Sequence, residues 1–209
     1  MKLYTFPPAP NPKRLSIFLE EKGISLETVL VDLMEGEQRK ESYLSVNPWG
    51  TVPALVLDDG TVMTEVIGIL GYLEELYPQT PLLGTDPASR AQVLSWDHRC
   101  FSEGFTGVAE VLRNSEEVFA GWALPGPVSY EQIPELVERG RKRIHSFYDV
   151  LNEHLKNKNF MVGNTFTAAD IAAYVFVEFS GWVKETIPDS CEHLLAWHQR
   201  ISERPSVCS

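Results

Sequence analysis

The strongest constraint on the fold is a change of periodicity at residues 78–87. Before this segment, short strand-like patterns alternate with helical ones, whereas after it the apolar residues recur almost only at helical spacing. The segment itself, PQTPLLGTDP, contains three prolines and one glycine, which interrupt regular elements. Each side has its own periodicity and therefore its own predicted core. We predict two domains at 1–80 and 88–209, joined by a linker at 81–87.

The first domain is predicted to be a small α/β sandwich with the element order β-α-β-α-β-β-α. Strand-like patterns cover Lys2–Phe6 and Thr28–Leu33, and two apolar runs on either side of Asp58-Asp59-Gly60 are typical of a β-hairpin. Pro12 and Gly23 mark a first helix, because proline fits the first turn of a helix and glycine often ends one. The remaining helical patterns are an exposed one at 35–44 and an amphipathic one at 65–77.

The second domain is predicted to be all-helical, with long helical patterns at 88–114 and 130–156 and a last one at 193–203. The best-marked helix start is Phe166–Ile171. There Thr167 can cap the helix, Asp170 can complete a capping box, and Phe166 can pack against Ile171. We assign Asp170 to stability and expect Asp170→Ala to cost about 1 kcal/mol, the usual value for a helix cap.

Charge and composition narrow the class of function. Eighteen basic against 29 acidic residues leave a net charge of −11, whereas proteins that bind nucleic acid or anionic membranes need a basic surface. No apolar run approaches the roughly 20 residues of a membrane span. The first ten residues lack the apolar stretch of a secretory signal, so we expect a cytoplasmic protein. The three cysteines form no C-x-x-C pair and the five histidines show no metal-ligand spacing, so we expect neither dithiol chemistry nor a metal.

Two positions in the first domain can present backbone groups to a ligand. Pro53 opens a predicted strand, and a cis Val52-Pro53 bond would turn the N–H and C=O of Val52 outward, toward an extended peptide. General frequencies favour a trans bond, since only about 5–6% of X–Pro bonds are cis. Glu65 begins the third predicted helix, where free N–H groups attract an anion, although it is equally a common first-turn residue.

Longer motifs resemble a known family. The run Asn47–Leu55 (NPWGTVPAL), together with Asp59-Gly60, Thr64-Glu65 and the YLEELYP run at 72–78, is similar to the N-terminal domain of cytosolic glutathione S-transferases. Phe166–Ile171 (FTAADI) and the Glu203-Arg204-Pro205 ending resemble motifs of that family's helical domain. The resemblance covers essentially the whole chain in the right order. It implies a thioredoxin-like first domain with a cis Pro53, an all-helical second domain, glutathione as co-substrate and a homodimer.

The resemblance also implies how glutathione is bound. Backbone groups around Thr51, Val52 and Pro53 pair with its cysteinyl part, while Glu65 and Val66 hold its γ-glutamyl end. The family usually has Ser or Thr where this chain has Val66, so a hydroxyl contact is missing. Leaving that contact to the backbone N–H of Val66 loses about 0.5–1.5 kcal/mol of binding free energy. We therefore expect glutathione binding to be weakened but not abolished.

Arg39 and Lys40, on the second predicted helix, are candidates for binding the glycine carboxylate of glutathione, because basic residues of that helix serve so in the family. The residues alone favour a solvated helix face for either one. Glutathione is itself an anion and this protein is acidic. The overall negative field of the protein does not attract glutathione, so local cations and helix N-termini must do so.

The catalytic position of the family follows the first strand, here in the segment 6–14 (FPPAPNPKR). It stabilises the glutathione thiolate, and lowering a thiol pKa from about 8.5 to about 7 requires about 2 kcal/mol. Many members use Tyr, Ser or Cys, and none of these occurs in the segment. The run Ala9-Pro10-Asn11 is similar to the Thr-Pro-Asn run of the nu class, with the hydroxyl lost. The resemblance implies a catalytic, glutathione-binding Asn11, although residues alone would make it a turn residue before Pro12.

The second domain is expected to supply a pocket for the other substrate. Aromatic residues at helical spacing are more often core than ligand-binding, so this expectation depends on the family. The candidates, which include one proline from the first domain, are Pro8, Trp96, His98, Phe101 and Phe105.

Three functions remain open from the sequence. The first is a glutathione transferase that conjugates the glutathione thiolate to a small hydrophobic electrophile. The second is a glutathione-dependent disulfide reductase, which the similarity to the nu class implies. The third is a non-catalytic binding or scaffold protein, which the loss of two polar contacts at Ala9 and Val66 would favour.

Overall fold

The computed structural model describes residues 1–208 and divides the chain into two compact units. The first unit contains residues 1–80 together with residues 121–130, and the second contains residues 81–120 and those from 131 onward. The sequence had assigned 121–130 to the helical domain, but these ten residues pack with the first unit. The predicted linker at 81–87 belongs to the second unit, where Leu82 is buried and its carbonyl accepts from the N–H of Ala168.

The first unit is built on a four-stranded mixed sheet with the strand order β2-β1-β3-β4. Strand β1 pairs in parallel with β2 and antiparallel with β3, and β3 pairs antiparallel with β4. Together with its helices this is the α/β thioredoxin-like domain that the resemblance implied. The elements are β1 (Lys2–Thr5), α1 (Pro10–Lys22), β2 (Glu27–Leu30), α2 (Glu41–Leu44), β3 (Ala54–Val56), β4 (Val62–Met63) and α3 (Val66–Leu76).

Helices α1 and α3 hold the core of this unit together. Their buried faces carry Leu15, Phe18 and Leu73 among other fully enclosed apolar residues. At the far end of the pair, the buried ammonium of Lys22 lies 2.7 Å from the carboxylate of Glu74 and also donates to two carbonyls that follow α3. The cation therefore satisfies the C-terminal end of α3, where unpaired carbonyls accumulate.

The second unit is all-helical, as predicted. The predicted helix at 88–114 is interrupted by a π-helical turn, for which the sequence gives no pattern. Within this turn Gly104 lies so close to the rings of Phe176 and Phe147 that a Cβ atom would clash with them. The elements are α4 (Pro87–Arg99), the π-helical segment (Cys100–Phe105), α5 (Thr106–Ser115), α6 (Glu135–Leu155), α7 (Ala168–Ser180), α8 (Glu192–Ser202) and α9 (Pro205–Cys208).

Asp170 is the polar centre of this unit and is fully buried. Its carboxylate accepts from the N–H and hydroxyl of Thr167, from the N–H of Met161 at 2.8 Å and from the indole N–H of Trp197 at 3.1 Å. Burial raises the pKa of Asp170 to about 6, against the opposing effect of these donors. The predicted cost of about 1 kcal/mol for its removal is therefore too small, because the carboxylate joins three separate segments as well as capping α7.

Over residues 1–208, none of the helices is long and apolar enough to cross a membrane.

Candidate functional site

Helix α1 begins with an unusual first turn. Ala9 is its N-cap and gives no side-chain hydrogen bond, and Pro10 and Pro12 occupy two of the first three helical positions. Because proline has no N–H, Asn11 is the only residue of these three with a backbone donor. The sequence thus leaves one residue, half-buried Asn11, to present both a backbone N–H and a side-chain amide at this helix start.

The side-chain amide of Asn11 is held by Arg14. The Nη1 atom of Arg14 donates to Oδ1 of Asn11 at 3.1 Å, and Arg14 is only 3% exposed. A guanidinium has donors and no acceptor, so the atom facing it must be the amide oxygen and the opposite end must be the NH₂ group. Within the described residues nothing accepts from Nδ2 of Asn11. Nothing in the sequence except its spacing of three residues from Asn11 indicates a role for Arg14.

The turn before β3 is organised by two buried side chains. Asn47 donates from Nδ2 to the carbonyl of Thr51 at 2.8 Å and accepts from the N–H of Trp49. The hydroxyl of Tyr43 donates to the same carbonyl. Burial raises the pKa of Tyr43, so its hydroxyl keeps the proton that it donates. These contacts fix the backbone that leads into Val52.

The Val52-Pro53 peptide bond is cis, as the resemblance implied and against the general frequency. Pro53 itself is buried, and β3 begins one residue later at Ala54. For the chain from 1 to 208, no group hydrogen-bonds to the backbone N–H or C=O of Val52. Both groups can therefore pair with an extended peptide, as a further strand residue would.

Helix α3 also begins without a side-chain cap. Its N-cap is Glu65, whose φ angle of 62° lies in the left-handed region that non-glycine residues seldom adopt. The carboxylate of Glu65 is exposed and caps nothing, and the first helical bond runs from Ile69 to the Glu65 carbonyl. Val66 is 3% exposed, so it offers a ligand its backbone N–H while its side chain belongs to the core. The first-turn N–H groups of α3 can bind an anion.

The two predicted cations differ in their surroundings. The guanidinium of Arg39 lies 4.4 Å from the ring centre of Trp122, within cation–π range, and Trp122 belongs to the 121–130 segment of the first unit. Lys40 is exposed and lies 3.8 Å from the carboxylate of Glu37. No sequence pattern indicates a role for Trp122, because it lies 83 positions from Arg39 along the chain.

The predicted pocket residues fall into three groups. Pro8 is exposed in the turn before α1 of the first unit, and His98 and half-exposed Phe101 lie on the surface of the second. Trp96 packs against the His154 ring, with ring centres 4.0 Å apart. Phe105 is 5% exposed and stacks on Phe179 in the core of the second unit. Among the described residues no cluster of metal-ligating side chains occurs.

A mixed thioredoxin-like sheet with an open first helix turn, followed by an all-helical unit, is the architecture of glutathione S-transferases. The N-terminal domain model of that family matches residues 9–76 and its C-terminal domain model matches residues 103–205. Glutathione S-transferase 2 of Saccharomyces cerevisiae is 33% identical over 215 aligned residues, covering 99% of this chain and 88% of that protein. The chain therefore belongs to the glutathione S-transferase family.

Two further relatives are similar to this chain over nearly its whole length. A solved glutathione S-transferase domain-containing protein of Marinobacter aquaeolei is 34% identical, with a TM-score of 0.90, covering 99% of this chain and 100% of that one. The disulfide-bond oxidoreductase YfcG of Escherichia coli is 30% identical over 210 residues, covering 97% of this chain and 90% of that protein. The family thus includes proteins named for different reactions.

Proposed function

We propose that the protein is a glutathione transferase that conjugates the glutathione thiolate to a small hydrophobic electrophile. The observation that carries the proposal is the first turn of α1, where Asn11 alone keeps a backbone N–H and its amide has a free donor end. A thiolate is the species that such donors stabilise. Asn11 also lies within residues 9–76, the range that matches the N-terminal domain model of the family.

Glutathione binds, in this proposal, along the open backbone groups of the first unit. The N–H and C=O of Val52 pair with the cysteinyl part, next to Thr51 and Pro53. The first turn of α3, with Glu65 and the N–H of Val66, binds the γ-glutamyl end. Arg39 and Lys40 supply the positive charge for the glycine carboxylate.

The reaction then needs only positioning and electrostatic stabilisation. The thiol of glutathione loses its proton to solvent, and donors at Asn11 hold the resulting thiolate. Its sulfur electron pair forms a bond to the electrophilic carbon, and the leaving group departs with the electrons of the bond that breaks. No covalent intermediate with the protein is involved. Pro8, Trp96, His98, Phe101 and Phe105 stay the predicted electrophile-binding residues.

The experiment that tests the proposal is a conjugation assay on the wild type and on Asn11→Ala. Removing one donor to a charged group costs about 1.5–3 kcal/mol, so we expect kcat to fall by about tenfold to hundredfold. Asn11→Asp is the matched control, because it keeps an acceptor for Arg14 but replaces the donor end with an oxygen. We expect it to be at least as impaired, and full activity in both variants would exclude Asn11 as the catalytic group.

Glutathione binding is measured in the same preparations by calorimetry. An intact affinity in Asn11→Ala with reduced turnover supports a role in thiolate stabilisation. If the wild type fails to bind glutathione at millimolar concentration, the non-catalytic scaffold function becomes the better account, and buried Val66 is its motivating feature.

Glutathione-dependent disulfide reduction is a second candidate, favoured by the similarity to the oxidoreductase YfcG over almost the whole chain. The three cysteines of the protein, Cys100, Cys191 and Cys208, all lie in the second unit and none lies in the α1 segment. Such a reductase would rely on the glutathione thiolate itself to attack the disulfide. Turnover of a small disulfide without turnover of aryl halides would favour this reaction. A homodimer and a cytoplasmic location stay predictions of the family resemblance, testable by size-exclusion chromatography and cell fractionation.

A further inference from the structure

We infer that Arg14 is a positioning residue that sets the donor end of the Asn11 amide toward the bound thiolate. The inference rests on the proposed function and adds a residue that acts through Asn11. Its basis is the 3.1 Å contact between Nη1 of Arg14 and Oδ1 of Asn11, made by an arginine that is 3% exposed.

The two ends of an asparagine side chain have nearly the same shape but opposite hydrogen-bonding character. A thiolate accepts hydrogen bonds, so it needs the NH₂ end, and the oxygen end would repel it. Arg14 provides the discrimination, because a flipped amide would set its NH₂ group against the donors of the guanidinium. Both contacts of Asn11 become unfavourable in the flipped state, so one buried arginine selects the orientation.

The contact also strengthens the donor. A charged donor on the amide oxygen draws electron density away from Nδ2, and hydrogen bonds in a chain polarise one another. The flanking prolines also help to hold Asn11 in place, because Pro10 and Pro12 restrict the backbone on either side of it. Arg14 lies three residues along the same helix, so the side chains share one face.

A direct attraction between the guanidinium charge and the thiolate is the competing explanation. Arg14 contacts the oxygen of the amide, which is the end opposite the donor. An effect that passes through the amide must disappear when the amide is removed, whereas a direct charge effect must remain. A double-substitution cycle separates the two.

The experiment measures the pKa of glutathione bound to the protein, from the ultraviolet absorbance of its thiolate as the pH is varied. The variants are Arg14→Met, Asn11→Ala and the two combined, with Lys13→Met as the matched control that removes a neighbouring positive charge. We expect Arg14→Met to raise the pKa of the bound thiol by about one unit, a tenfold loss of thiolate stabilisation. In the Asn11→Ala background we expect Arg14→Met to change the acid dissociation constant of the bound thiol by less than about threefold. We expect an equally small change for Lys13→Met in the otherwise unchanged protein.

Arg14→Lys answers the question if Arg14→Met does not fold, as checked by circular dichroism. Arg14→Lys keeps a buried cation but loses the planar guanidinium. We therefore expect thiolate stabilisation to fall by at least about threefold, and we expect this loss to vanish in the Asn11→Ala background. An unchanged thiol pKa in the Arg14 variants, or a loss that persists without Asn11, overturns the inference. If Asn11→Ala raises the thiol pKa while the Arg14 variants do not, the inference alone fails. If glutathione does not bind to the wild type, the proposed function fails and the inference falls with it.

Discussion

Helices α1 and α3 of the first unit begin differently from helices α4 and α7 of the second. In the first unit, α1 and α3 start at Ala9 and Glu65, and neither residue gives a side-chain cap. In the second unit, α4 starts at Asp86, whose carboxylate accepts from the N–H groups of Ala88 and Ser89. The start of α7 is closed by the carboxylate of Asp170.

A capped helix start and a ligand-binding helix start use the same N–H groups, so one start cannot do both. The closed starts of α4 and α7 contribute stability, and the open starts of α1 and α3 keep N–H groups available for an anion. The open start of α3 also costs stability, because the positive φ angle of Glu65 is a strained conformation for glutamate. Substitutions at the starts of α4 and α7 should therefore destabilise the fold, whereas substitutions at the starts of α1 and α3 should mainly weaken ligand binding.

The largest expected effect belongs to Asp170. Asp170→Ala leaves four buried donors without an acceptor, so we expect the free energy of unfolding to fall by about 3–5 kcal/mol, as when a buried charged group loses its partner. Urea unfolding measures it. Asp86→Ala is the matched control at an exposed cap and should lose much less. Equal losses in the two variants would contradict the distinction between the two caps.

The raised pKa of Asp170 leads us to expect that stability depends on pH. Its carboxyl has a pKa of about 6 in the folded protein against an ordinary 3.8, so the folded state holds the proton more tightly than the unfolded state. Its contribution to stability is therefore complete below about pH 4 and is lost as the pH rises through about 6, a change of about 3 kcal/mol. Unfolding of the wild type and of Asp170→Asn across this range measures the difference. Parallel profiles for the two proteins would show that another group titrates.

The smallest expected effect tests the open start of α3. Glu65→Gly relieves the positive φ angle, so we expect the free energy of unfolding to rise by about 1 kcal/mol. Glutathione binding should weaken at the same time, because the carboxylate that we propose holds the γ-glutamyl end is gone. Glu65→Gln, which keeps the strained backbone, should weaken binding without the gain in stability. A Glu65→Gly protein that binds glutathione normally would show that the open start serves no ligand.

The sequence predicts what local chemistry decides. Gly23 ends α1 in the left-handed conformation that glycine favours, and the Phe166–Ile171 motif starts α7 where it was predicted. The residues that sequence reasoning missed act at a distance or through one atom. The sequence gives no reason to distinguish Arg14 from other helix residues, because its contact with Asn11 involves a single side-chain atom. Trp122 lies in a proline-rich loop far from Arg39 along the chain. The π-helical turn depends on how Gly104 packs against α6 and α7, which no local pattern encodes.

The ten residues at 121–130 bear on how the protein is made. Because they belong to the first unit, that unit is discontinuous along the chain. A ribosome must therefore translate through α4 and α5 before every part of the first unit exists, and Trp122 reaches Arg39 only then. An expressed fragment that stops at residue 80 would lack this piece. Attempts to obtain the first unit alone should instead carry the 121–130 loop as a grafted extension.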